Sequence, residues 1–113
     1  MLTALHEGES LQKFEVANIQ RGWEIVGGKL ALTNERLIFE SNVYDINYGS
    51  TVIELPEIAD VQECWAQLLN LIPIMPNAIA ITTKAGKEYR LVVYGRSAWI
   101  DAIKSCARPL AAN

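Results

Sequence analysis

The sequence predicts a mainly β fold, about seven antiparallel strands closed by one C-terminal α-helix. Three observations carry that expectation. Apolar and polar residues alternate with period two through most of residues 11–95, the pattern of strands with one face inward. Turn-forming residues interrupt the alternation at short intervals, as hairpins require. After Gly95 the apolar residues switch to helical spacing. With 113 residues, the chain suits a single domain spanning 1–113 that buries about two-thirds of its unfolded surface.

Residues 1–10 are expected to be loosely ordered. LQKFEVANI (11–19) reads as the first strand and GWEIVGGKLALT (22–33) as the second, with Gly27 and Gly28 marking a bulge or a close backbone approach. The TNER step (33–36) suits a tight reversal, because asparagine tolerates positive φ and bonds its own backbone. RLIFES (36–41) returns as the hairpin partner, and NVYDINYGS (42–50) reads as a loop. TVIEL (51–55) is a short strand ended by Pro56, which has no backbone donor. IADVQECWAQ (58–67) is a fifth strand, and NAIAITTK (77–84) and KEYRLVVYG (87–95) flank an Ala85-Gly86 turn.

In SAWIDAIKSCARPL, Trp99, Ala102, Ile103 and Cys106 share one helical face. A helix over 96–108 follows, with Ser97 as its N-cap and Pro109 just past its end. That face must bury itself against the inner faces of two sheets or of an open barrel. Trp99, Ile103 and Cys106 are therefore expected to be structural, with Trp99 as the main plug.

One stretch resists this pattern. CWAQLLNLIPIMPNAIAITT (64–83) has no charged side chain and the length of a membrane-spanning helix, about 20 residues. Its content argues otherwise. Pro73 and Pro76 break helical bonding near its centre, and Gln67, Asn70 and Asn77 would carry amides into lipid. The stretch is expected to divide into a strand end, a connector over 68–76 and a new strand from about Asn77. In that connector Leu71, Ile72, Ile74 and Met75 pack under the fold or, if exposed, form an apolar interface.

Ten Lys and Arg against thirteen Asp and Glu leave a net charge of −3 and a pI near 5.1. That balance argues against nucleic acid as a partner, since phosphate neutralisation needs clustered cations. It also weighs against an anionic membrane surface as the main partner unless the cations gather on one face. The N-terminus lacks a basic segment followed by an apolar core, so no signal peptide is read and a cytoplasmic location is expected. Cys64 and Cys106 are expected to be buried free thiols in a reducing compartment.

Catalytic chemistry finds no support. His6 is the sole histidine, far from any triad partner in sequence, and the two distant cysteines lack zinc-ligand spacing. Gly27-Gly28 opens no helix and so makes no phosphate loop, and Asp45 and the other scattered acids suit a solvated face. No catalytic residue, no metal site and no cofactor is expected.

GGKLALTNERLIFESN (27–42), TVIELPEIADVQ (51–62) and IPIMPNAIAITTKAGKEYRLVVYGRSAWIDAI (72–103) together resemble the GRAM domain of the pleckstrin-homology (PH)-like superfamily. The first piece matches its glycine, Leu-Thr-Asn, Arg-Leu-Ile-Phe hairpin, the second its next strand pair, and the third its closing hairpin and Trp-bearing helix. The resemblance spans nearly the whole chain, and its stand-alone form is similar to bacterial members.

The resemblance implies a PH-like barrel or sandwich serving as a non-catalytic binding module. A protein–protein interaction or scaffolding domain, docking through a sheet edge or loop, is the first reading. The alternative is a peripheral membrane or lipid-headgroup module at the inner membrane face, using first-hairpin cations and the apolar 71–76 segment. Superfamily phosphates are commonly held near the first hairpin, which makes Lys13, Arg21, Lys29 and Arg36 the candidate headgroup ligands. Glu15, Glu24, Glu35 and Glu40 interleave with them and oppose their field. Arg36 directly follows the tight turn, a position that also suits a structural role. Arg96 either binds an anion beside the helix start or makes a surface ion pair or cap. Trp23, Tyr44, Tyr48, Trp65 and Tyr94 are candidate contacts or strand-packing residues. A homo-oligomer is a further assembly these readings allow.

Overall fold

The computed structural model describes residues 3–22, 24–42, 50–68 and 72–111, with side chains placed for 3–22, 24–42, 50–64 and 78–107. The strands are β1 (Leu11–Arg21), β2 (Glu24–Thr33), β3 (Arg36–Ser41), β4 (Ser50–Glu54), β5 (Ile58–Leu68), β6 (Ile72–Thr83) and β7 (Glu88–Val93). A single turn of 3₁₀ helix at Leu55–Glu57 joins β4 to β5, and helix α1 (Arg96–Ala111) ends the chain. All seven strands belong to one antiparallel sheet in the order β4-β3-β2-β1-β7-β6-β5. Two meanders thus meet at the β1–β7 pair, and β4 and β5 are left as edges.

Strand alternation decides what lies inside. Ala17 and Ile19 of β1, Leu37 and Phe39 of β3, Ile79 and Ile81 of β6, and Leu91 and Val93 of β7 join one buried cluster. The two halves of the sheet therefore share one core. Helix α1 inserts Trp99 and Ile103 into it, both fully buried, and packs Cys106 against it half-buried. A buried Trp removes more apolar area than any smaller side chain on the helix, so Trp99 anchors this closure.

Several boundaries differ from the sequence reading, each for a backbone reason. Arg21 closes β1, paired with Glu24, rather than lying in a loop. Gly95 takes a φ of 62° and its carbonyl accepts the Trp99 N–H at 3.1 Å. Gly95 is thus the cap position, where positive φ turns the chain sharply out of β7, and Ser97 lies within the first helical turn. The helix runs on through Pro109 to Ala111.

The largest difference is in β6. It begins at Ile72, and its first residues pair back on β5 through Ile72–Leu68, Pro73–Gln67 and Met75–Ala66. Strand β7 pairs only with Ala78–Thr82. Among the described residues, 72–77 therefore have a strand on one side alone, which is where proline, lacking an N–H, is tolerated in a sheet. The expected nine-residue connector gives way to a two-stranded arm. Leu71 lies outside the described residues, as do the side chains of Ile72, Ile74 and Met75, and residues 43–49.

Gly28 shows a close backbone approach without a bulge. A Cβ there would stand 2.7 Å from Phe39 Cζ and closer still to the Glu40 carbonyl oxygen, while the registers of β2 with β1 and β3 run through it unbroken. Only glycine lets β3 sit this near.

The segment ahead of β1, expected to be loosely ordered, is tied to the β2–β3 hairpin. Ser10 N–H donates to Asn34 Oδ1 and Asn34 N–H to the Ser10 carbonyl. Arg36 Nη2 donates to the Ala4 carbonyl, and Thr3 N–H to Glu40 Oε2. Arg36, Ile38 and Glu40 share the outer face of β3. Ile38 and its cross-strand partner Ala31 are buried yet stand outside the inner core cluster.

Candidate functional site

The four candidate headgroup cations do not converge. Arg36 is buried and faces Glu9, its Nε 2.8 Å from Oε2 and its Nη2 3.0 Å from Oε1. The pairing is bidentate and charge-assisted, the strong form of such a contact. Thr33 Oγ1 also donates to Glu9 Oε2, at 2.7 Å, and the His6 N–H to Oε1, at 2.8 Å. The hydrogen bond from Arg36 leads these influences and outweighs burial, holding the Glu9 carboxyl at about 2. Glu9 in turn raises the proton affinity of Arg36. Arg36 is thus engaged by Glu9 inside the fold.

Lys13 is also engaged. Its Nζ lies 2.7 Å from Glu15 Oε1 and 5.1 Å from the centre of a Trp99 ring, over the plug of the core. Lys29 is exposed in mid-β2, opposite Val16 and Glu40 in register.

Arg21 lines a cavity. Its Nη2 donates to Thr51 Oγ1 at 2.8 Å, linking the end of β1 to the start of β4. The opening is about 470 Å³ and is lined by Gln20, Arg21, Thr51, Lys87, Glu88 and Tyr89 among others. The register Gln20–Arg90 brings the start of β7 to the end of β1 and delivers Lys87 here. Lys87 Nζ sits 4.9 Å above the Tyr89 ring. Two cations, hydroxyls and an amide can receive an anion, with Glu88 opposing. Sequence reasoning missed Lys87, although its place just after the Ala85-Gly86 turn was a usable cue.

A second opening lies between α1 and the start of β5. It is about 330 Å³, with an apolar floor that includes Leu55, Ile58, Val61, Ile103 and Ala107. Asp60, Lys84 and Lys104 stand at its rim. The 3₁₀ turn, β5, the turn after β6 and α1 build it, so no local motif announces it.

Other groups singled out in the sequence find mostly internal partners. Arg96 pairs with Glu63 at 2.8 Å and donates to the Cys64 carbonyl at 3.0 Å, tying α1 to β5. Cys64 and Cys106 are free and half-buried rather than buried, and burial pushes both thiols up, away from the thiolate that nucleophilic chemistry needs. His6 Nδ1 lies 2.9 Å from Glu35 Oε1 and 3.6 Å from Glu9 Oε1. These three are the cluster of potential metal donors among the described residues, but Arg36 already neutralises Glu9, and a cation there would have to displace it. Tyr94 is 77 % exposed. Trp23, Tyr44, Asp45 and Tyr48 lie outside the described residues, as does the Trp65 side chain. Among the described residues no helix is long and apolar enough to cross a membrane.

No family model matches this chain, and no curated protein matches its sequence. Solved structures do match. The C-terminal domain of an unknown protein from Leishmania infantum superposes with a TM-score of 0.73 at 22% identity, over 89% of this chain and 86% of that one. The Vps36 N-terminal PH domain gives 0.69 at 17%, over 97% and 87%. The PDZ-RhoGEF DH/PH domains, solved with activated RhoA, give 0.66 at 13%, over 90% of this chain and 30% of that one. The fold is PH-like: a seven-stranded antiparallel sheet closed by one C-terminal helix.

Proposed function

We propose that this chain is a non-catalytic binding module of the GRAM type, similar to bacterial members, whose ligand is a protein. The observation carrying this reading is the dispersal of the four candidate cations. Arg36 is buried on Glu9, Lys13 pairs with Glu15, Lys29 is exposed in mid-β2, and Arg21 lines a cavity that none of the other three lines. A headgroup site needs several such groups on one phosphate. Edge strands β4 and β5 offer open backbone groups, which a partner strand can use. The similarity to a PH-containing fragment solved with RhoA lends support of the same kind. A cytoplasmic module acting as an adaptor fits the net charge of −3. Affinity capture from the native cell, followed by mass spectrometry, is expected to recover one specific partner. Recovery of none, across repeated captures, would sink the reading.

A second reading rests on the Arg21–Lys87 cavity: headgroup binding at the inner face of a membrane. It predicts co-sedimentation with anionic but not neutral vesicles at low salt, abolished by Arg21→Glu with Lys87→Glu. Absence of the protein from both pellets removes it.

A further inference from the structure

We infer that two copies of this chain pair face to face through the outer face of β7, β1 and β2, about a two-fold axis that runs along β1 at Val16. The pairing is independent of the partner reading above and gives Lys29 and Tyr94 a role.

Alternation sets which residues share that face. Ala17 and Ile19 of β1, Leu30 and Leu32 of β2, and Leu91 and Val93 of β7 belong to the inner core cluster. Val16, Lys29 and Tyr94 therefore stand on the opposite face. Val16 pairs with Lys29 in register, and one step beyond the Ala17–Val93 pair it comes level with Tyr94. The three form one row across neighbouring strands, with Val16 at its centre. Val16 and Tyr94 are 58% and 77% exposed, more than any other large hydrophobic residue among those described. Adjacent exposed apolar groups of this size mark an interface. Lys29 beside them is exposed and makes no ion pair among the described residues. Glu40, its register partner in β3, accepts the Thr3 N–H instead.

The order of the row selects the occupant. A two-fold axis along β1, lying in the interface, exchanges the flanking strands, so β7 of one copy lies over β2 of the other. Val16 then meets the partner's Val16. Each Lys29 ammonium lies over the partner's Tyr94 ring, a cation–π contact made twice. Stacked sheets stand about 10 Å apart, a gap that side chains of this length span. Phe14, half-buried on the same face, meets its own copy further along the axis. Val92 falls over the partner's Gly27, which has no side chain to obstruct it. A face whose two flanks complement each other is what an isologous contact requires.

The test is sedimentation velocity of the full chain from about 10 µM to about 1 mM, since self-association depends on concentration. The wild type is expected to pass from 12.6 kDa to twice that mass. Val16→Glu and Val16→Lys each set like charges against one another on the axis, so each alone should stay monomeric. Mixed in equal amounts, the two should form a heterodimer. Lys29→Gln and Tyr94→Leu should each weaken pairing by roughly tenfold, because either one removes both ring contacts. These two exposed positions decide the matter if a Val16 variant melts early. Three outcomes overturn the inference. A wild type that is monomeric throughout leaves the face to another occupant. A dimer that all four variants leave intact places the contact at a strand edge. Folded Val16 variants that fail to pair when mixed move the axis off Val16.

Discussion

Two places in this molecule hold cations against the sheet, and they are built in opposite ways. At Arg36 the guanidinium is buried, bidentate on Glu9, with a strap of residues 3–10 drawn over it. At the β5–α1 groove, Lys84 and Lys104 are exposed over an apolar floor with no acidic partner among the described residues. A paired, buried charge is costly to break, whereas an exposed one contributes little to stability. Sequence position does not distinguish them. The contrast teaches that a cation near a first hairpin is not a ligand site until its partners are counted.

The sharpest way to break the comparison is Glu9→Ala. It strands a buried guanidinium and should lower unfolding stability by about 3–5 kcal/mol, read by urea denaturation. Replacing both partners, Glu9→Leu with Arg36→Met, should cost far less. An equal loss in both variants would mean that the strap, not the ion pair, carries the effect. Next in size is Gly28→Ala. Its new Cβ meets the Glu40 backbone and Phe39, for an expected loss of about 1–3 kcal/mol in the same assay.

Acid should separate the two regions as well. The Glu9 carboxyl, near 4.5 when unfolded, is held at about 2 in the fold. A depressed acid binds protons more readily in the unfolded chain, so its contribution is intact above pH 4.5 and is lost as pH falls from there towards 2. Melting temperature against pH should show that loss in the wild type and much less of it in Glu9→Gln; parallel curves would refute the assignment. The smallest effect belongs to the groove. Lys84→Ala and Lys104→Ala should each change stability by no more than about 0.5 kcal/mol, and a larger change would place these lysines in the fold rather than at a binding surface.

Much of the fold was legible because period-two alternation is local. LQKFEVANI, RLIFES and KEYRLVV each carry their inner face in their own sequence. The strap was not legible, since Glu9 and Arg36 are 27 residues apart and nothing near Glu9 marks it for burial. Pro73 and Pro76 concealed the start of β6, because a proline in a strand reads as a break unless the strand's free side is known. Of the site, Arg21 was legible as a basic residue near a turn. Lys84 and Lys104 were not, for a groove assembled from the 3₁₀ turn, β5 and α1 has no sequence signature.

The two-stranded arm bears on how the protein behaves in crowded solution. A strand flanked on one side only is a template on which another chain can build, and a run of open amides there invites stacking of copies. In residues 72–77 of β6, Pro73 and Pro76 have no amide hydrogen to supply on either side. The residues that made this stretch look unlike a membrane span also make it a poor seed for fibrils.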